Sequence, residues 1–196
     1  MTHAVNDEAL DRIFRNARSQ NTWQDKPVSI PHLMAIYDLM RWGPTSANVS
    51  PARFLFLVSK ESKLRLKPHL LPGNVDKVMT SGATAIIGYD LDFPEHIPRL
   101  FPHNPGAKDW FGDAALRETT AFRNGTLQGA YFIIAARSLG LDCGPMSGFN
   151  NAAVDTEFFA GTQIKSNFLC AIGYGDPTGV LARSPRHTFD EACKIL

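Results

Sequence analysis

The sequence predicts an α+β fold in a single domain, residues 1–196. Three short apolar runs, 53–59, 83–89 and 167–174, are rich in β-branched and aromatic residues and read as buried strands. Helical spacing fills much of the chain between them, most extensively over 113–139. These strands and helices do not alternate regularly, as the units of an all-parallel sheet would. A chain of 196 residues suits one hydrophobic core.

In chain order, Asn6 is a good N-cap for a first helix carrying Leu10, Ile13, Phe14 and Ala17 at helical spacing. Ser29 caps a second helix, with Pro31 in its first turn and Gly43 as its stop. Its expected buried stripe is Leu33, Ile36, Tyr37 and Met40. After the strand at 53–59, short helices are expected around 62–66 and 75–79, and then the strand at 83–89. Residues 91–112 hold four prolines and two glycines among aromatic residues, a composition that suggests a functional lid. In the helix over 113–139, residues 127–139 are apolar nearly all round and read as a buried central element. Residues 142–149 read as a loop and 151–159 as a short helix. The strand at 167–174 follows, then a basic loop and a helix near 189–194.

Twenty Lys and Arg against nineteen Asp and Glu leave a formal charge of +1. Nucleic-acid binding by bulk charge is therefore not expected, because phosphate affinity needs a clustered basic excess. Cys143, Cys170 and Cys193 are far apart, and no Cys/His cluster suggests a metal site. An odd cysteine count without a signal-peptide core points to free thiols and a cytoplasmic protein. The apolar stretches are too short to span a membrane. No dinucleotide fingerprint, phosphate-binding P-loop or nucleophile elbow occurs, so in an enzyme the chemistry would fall to a bound organic cofactor.

Four polar segments could hold one. Arg18-Ser19-Gln20-Asn21 offers a guanidinium fork and a hydroxyl at a helix end. Pro44-Thr45-Ser46-Ala47-Asn48 is longer than a helix-to-strand turn requires and is rich in hydrogen-bonding groups. Gly144-Pro145-Met146-Ser147-Gly148-Phe149 combines glycines with backbone N–H groups that a flat ligand could approach. Arg183-Ser184-Pro185-Arg186 could close over a phosphate. Each has an ordinary structural explanation as well: a solvated helix end, a capped turn, a connection, or surface arginines.

Taken in order, these segments resemble the nitroreductase-like family of FMN-dependent oxidoreductases, together with Asn74 and Lys77, which match its Asn-x-x-Lys. Finer stretches resemble the malonic semialdehyde reductase branch: residues 42–48, 50–53, 118–124, 144–149, 165–167 and 173–176. One departure is Asn21, which stands where many members carry Arg or Lys. Arg18 is then the expected phosphate partner, with Arg15 as the alternative.

The resemblance implies a central antiparallel-type mixed sheet surrounded by helices, in an intertwined homodimer with FMN at the subunit interface. Arg18, Ser19, Asn21, Asn74, Lys77 and Arg183 would come from one subunit. Pro44, Thr45, Ser46, Asn48 and the Ser147-Gly148 pair, flanked by Pro145 and Met146, would come from the other. It implies ping-pong hydride transfer from NADH or NADPH through flavin N5 to a small-molecule acceptor. Lys77 would stabilise charge at the ring's pyrimidine edge, and the Ser147 or Gly148 N–H would meet N5. Malonic semialdehyde carries a carboxylate, for which Arg53, Arg123 and His103 are candidate cations. A broad nitroaromatic or quinone reductase and a non-catalytic flavin-binding protein are the rival readings.

Overall fold

A computed structural model describes residues 4–196. The helices are α1 (Asp7–Leu10), α2 (Ile30–Met40), α3 (Lys60–Leu66), α4 (Pro72–Thr80), α5 (Ile97–Leu100), α6 (Ala114–Ser138), α7 (Asn151–Phe158) and α8 (Phe189–Ala192). The strands are β1 (Ala52–Leu57), β2 (Ala83–Asp90), β3 (Asp142–Met146) and β4 (Ile164–Gly173), in the order β1-β2-β4-β3. All three strand pairings are antiparallel. Among the described residues the parallel component is a single bridge, Ser19 to Cys143.

Strand β2 is buried from end to end because its two faces feed two cores. Ala83, Ala85 and Ile87 join Ile36, Met40 and Phe132 from α2 and α6. Ile86 joins Leu66, Val78 and Leu169 on the opposite face. Period-2 alternation thus gives a continuous apolar run when both faces are covered. Truncating a fully buried residue such as Ile86 to Ala costs about 2–5 kcal/mol.

Helix boundaries follow local chemistry. The Ser29 hydroxyl accepts from the His32 N–H at the start of α2. The Asp113 carboxylate accepts from the Leu116 N–H at 2.7 Å and opens α6. Gly140, at φ 84°, closes it, with Leu141 N–H donating to the Ala136 carbonyl.

Several expectations need correction. Tyr37 is half exposed and borders a cleft, so the buried stripe of α2 is Leu33, Ile36 and Met40. Residues 142–146 form strand β3 rather than a loop, and its Pro145 is tolerated because β3 is a sheet edge. The 127–139 part of α6 is not buried all round, since Leu127 and Tyr131 are 47% and 38% exposed. The C-terminal helix is one turn, and residues 181–196 are exposed throughout. Residues 91–112 form helical turns around Phe93, Ile97 and Phe111, with the Phe93 and Phe111 rings 4.9 Å apart. That packing makes the segment a small third core.

Candidate active site

The residues singled out in the sequence fall into two groups at opposite edges of the sheet. At the β3 edge, residues 19–24 run past the start of the strand and along the segment that follows β4. Gln20 N–H donates to the Cys143 carbonyl at 2.9 Å and Gln24 N–H to the Tyr174 carbonyl at 2.8 Å. Gly144 permits this approach, because a Cβ there would lie 2.4 Å from the Gln20 carbonyl oxygen. Trp23 closes the corner by donating its indole N–H to the Lys77 carbonyl at 2.9 Å.

Helix α4 presents Asn74 and Lys77 one turn apart on one face. The Asn74 amide donates to the Gly148 carbonyl at 2.9 Å, and Leu71 N–H donates to the same oxygen at 3.0 Å. A side chain on Gly148 would meet Asn74 at 2.6 Å. The Ser147-Gly148 pair therefore sits against Asn74 of its own chain, not across a subunit boundary as expected. Among the described residues, the Ser147 and Gly148 N–H groups have no acceptor. Met146 is buried and Pro145 half-buried in β3.

Lys77 is half-buried, and burial pushes its ammonium pKa down. Among the described residues its ammonium has no ion pair or hydrogen bond. Gln20 Oε1, on a side chain packed against Gly175, is buried and has no partner among the described residues. The fold thus leaves a partly desolvated cation and two solvent-accessible amide donors without protein partners among the described residues, groups that a polar ligand could engage.

The arginines converge at the end of this strip. Arg183 donates to the carbonyls of Arg15 and Ala17 at 2.8 and 3.1 Å, and Arg18 donates to the Leu181 carbonyl. Arg15 is held by Asp7 at 2.7 Å and Asp11 at 3.0 Å. Of the two phosphate candidates, only Arg18 is free of carboxylates. Ser19 and Asn21 are exposed beside it.

The second group lies where the chain enters β1. Ala47, Asn48 and Ser50 have φ of 45°, 51° and 39°, all left-handed and none glycine. Each such residue costs about 1–2 kcal/mol, so the loop must be held from outside. Asn124 and Gln128, buried one turn apart on α6, accept from Ser46 N–H at 2.9 Å and Ala52 N–H at 2.8 Å. Thr45 Oγ1 accepts from Ser50 N–H at 3.2 Å, and Asn48 Nδ2 donates to the Leu100 carbonyl at 2.7 Å. The anchoring roles of Asn124 and Gln128 were not foreseen. Their signal was a pair of amides at i, i+4 within an apolar helix.

Pro44 and Asn48 border an open cleft of about 1220 Å³ between α2, β1 and α5. The first group has no part in it. Three strand spacings, about 14 Å, separate the two edges. Of the candidate cations for a substrate carboxylate, Arg53 lines the cleft but is bound to Asp90 at 2.6 Å. His103 meets the Phe101 ring edge-on with centroids 4.0 Å apart, and Arg123 is exposed on α6 away from the cleft.

This architecture, a four-stranded antiparallel sheet wrapped by helices, is the nitroreductase fold. A structure from Exiguobacterium sibiricum, provisionally named a nitroreductase and solved with FMN, matches at a TM-score of 0.87 with 18% identity, covering 100% of both chains. A provisionally named nitroreductase from Bacillus subtilis matches at 0.86 with 18% identity, covering 97% of this chain and 100% of that one. The chain belongs to the Nitroreductase family, whose profile matches residues 14–176. A relative from Cupriavidus pinatubonensis is 59% identical, covering 96% of this chain and 97% of its own. HadB of Ralstonia pickettii is 58% identical, covering 95% and 97%. Both relatives are provisionally named NADH dehydrogenase/NAD(P)H nitroreductase.

Proposed function

We propose that this protein is an FMN-dependent NAD(P)H oxidoreductase that reduces malonic semialdehyde to 3-hydroxypropionate. The observation that carries the flavin reading is Lys77, a half-buried cation without a partner among the described residues, beside the free N–H groups of Ser147 and Gly148. The donor set suits FMN. Arg18, Ser19 and Arg183 would hold the single phosphate, Asn21, Asn74 and Lys77 the polar edge of the ring, and the backbone from Pro145 to Gly148 its face. The chemistry FMN supplies when bound is reversible two-electron transfer between NADH or NADPH and an oxidised acceptor. Lys77 places positive charge at the ring, Asn74 fixes the Ser147-Gly148 backbone, and Trp23 fixes Lys77 through its carbonyl. In the net reaction, malonic semialdehyde, NAD(P)H and one proton give 3-hydroxypropionate and NAD(P)+.

The site is completed in a homodimer, in which a second copy contributes Pro44, Thr45, Ser46 and Asn48. Three features support this reading: the open edge of β1, the exposed apolar residues Phe122 and Leu127 of α6, and the exposed arm at 181–196. Among the described residues no helix is long and apolar enough to cross a membrane. The three cysteines are free, and we place the protein in the cytoplasm on that basis.

The names of the relatives and the aromatic lining of the cleft favour a second reading, a broad nitroaromatic or quinone reductase. Heat release and chromatography of the bound flavin, light scattering, and anaerobic reduction by NADH and NADPH test the common part. Reoxidation with malonic semialdehyde, nitrofurazone and a quinone separates the two readings. Recovery of FAD, or a monomer that retains flavin, overturns the proposed site. A yellow protein that neither nicotinamide cofactor bleaches overturns the enzymatic reading.

A further inference from the structure

The cleft beside the Pro44–Asn48 loop is lined by three arginines, Arg41, Arg53 and Arg99. Arg53 is committed to Asp90 at 2.6 Å. Arg41 lies 3.8 Å from Asp38 and over the Trp42 ring, 5.2 Å from its centroid. Among the described residues, Arg99 has no ion pair and no hydrogen bond. Its mount is nevertheless fixed. Ile97, two residues earlier, is fully buried, and the next residue, Leu100, accepts the Asn48 side chain at 2.7 Å. Arg99 is therefore an exposed guanidinium without a partner among the described residues, on a backbone anchored beside the loop assigned to the cofactor wall. Aromatic side chains such as Tyr37 and Phe54 line the same cleft. A guanidinium whose fork is unoccupied, beside such rings, favours a planar anion that it can bind through two parallel N–H groups.

We infer that Arg99 captures the carboxylate of a short oxo-acid acceptor and thereby sets the specificity of the enzyme. It binds and orients the acceptor and takes no part in hydride or proton transfer. The inference rests on the functional reading above. It moves the role expected of Arg53, Arg123 or His103 to a residue the sequence did not single out.

The test uses the dimeric holoenzyme and its Arg99→Gln and Arg99→Lys variants, with malonic semialdehyde and an uncharged quinone as acceptors. Malonate serves as an unreactive dicarboxylate probe of binding. Arg99→Gln should raise KM for malonic semialdehyde and Ki for malonate by about ten- to a hundredfold. It should leave kcat, quinone reduction, the KM for NAD(P)H and flavin content unchanged, and Arg99→Lys should recover part of the loss. Equal losses with both acceptors, a raised KM for NAD(P)H, or an unchanged malonate Ki overturns the assignment. If the wild type reduces the quinone but neither reduces malonic semialdehyde nor binds malonate, the oxo-acid reading fails and the assignment fails with it. If the wild type prefers malonic semialdehyde and Arg99→Gln keeps that preference, the assignment alone fails.

Discussion

At the β3 edge the chain covers part of its own strand, with residues 19–24 closing backbone hydrogen bonds to Cys143 of β3 and to Tyr174 just beyond β4. At the β1 edge, among the described residues, no strand pairs with the outer side of Ala52–Leu57, and a cleft of about 1220 Å³ lies alongside. The first edge spends glycine on close packing and leaves a cation and amide donors unused. The second spends buried amides on holding a strained loop and leaves apolar surface bare. The contrast shows how one chain can carry both halves of a site and still be unable to join them.

The largest expected break in this contrast is Gly144→Val. The added side chain would strike a backbone oxygen that has no room to move. It should destabilise the protein by about 3 kcal/mol, read as a lower urea midpoint, and should abolish flavin retention. Asn124→Ala tests the other edge. It removes the acceptor of the Ser46 N–H and should cost about 2 kcal/mol. Flavin bound by the dimer should then dissociate faster, while the β3 edge keeps its hydrogen-exchange protection. If Asn124→Ala loosens both edges equally, the two halves are not independent. Thr45→Val removes only the 3.2 Å bond from Ser50 N–H and should cost about 1 kcal/mol.

The smallest effect on stability, and the sharpest functionally, concerns Lys77. Its pKa in the folded protein lies below the unfolded value because burial penalises the charged form. The penalty is present at neutral pH and relaxes as pH rises through the folded pKa towards 10.5. Flavin-free protein should therefore gain stability over that window while flavin retention falls. Lys77→Met should remove the fall in flavin retention, shrink the stability trend to the part that buried Lys63 contributes through its own lowered pKa, and slightly raise the neutral-pH Tm of the flavin-free protein. Parallel pH series of melting and flavin release check the two signs. A Lys77→Met protein that keeps the whole stability trend, or keeps the fall in flavin retention, assigns it to another group.

The helices and central strands were legible because capping residues and apolar periodicity act locally. Ser29, Asp113 and Gly140 end their helices for reasons contained within a few residues. Strand β3 was not legible, because its Gly-Pro composition has the chemistry of a turn and is admissible only at a sheet edge, which is a tertiary fact. Tyr37 was misplaced for a similar reason: helical spacing identifies a stripe but not where the cleft cuts it. The order of the candidate motifs could be read along the chain. Their division came only from the resemblance, and it misplaced the Ser147-Gly148 pair, because strand order, not sequence distance, puts Gly148 against Asn74. Asn124 and Gln128 look like misplaced polar residues in an apolar helix until the strained loop they serve is seen.

Trp23 gives the molecule a built-in optical reporter. Trp42 and Trp110 are 75% and 55% exposed and should emit as solvated indoles, whereas Trp23 is packed against Gly144 and tied to the Lys77 carbonyl. The blue part of the emission therefore belongs to the residue that touches the proposed ligand cradle. A bound isoalloxazine absorbs in that range and should quench the blue component preferentially, leaving the red one as an internal standard. Ligand occupancy at the β3 edge can then be followed in the unmodified protein, without a label and without turnover.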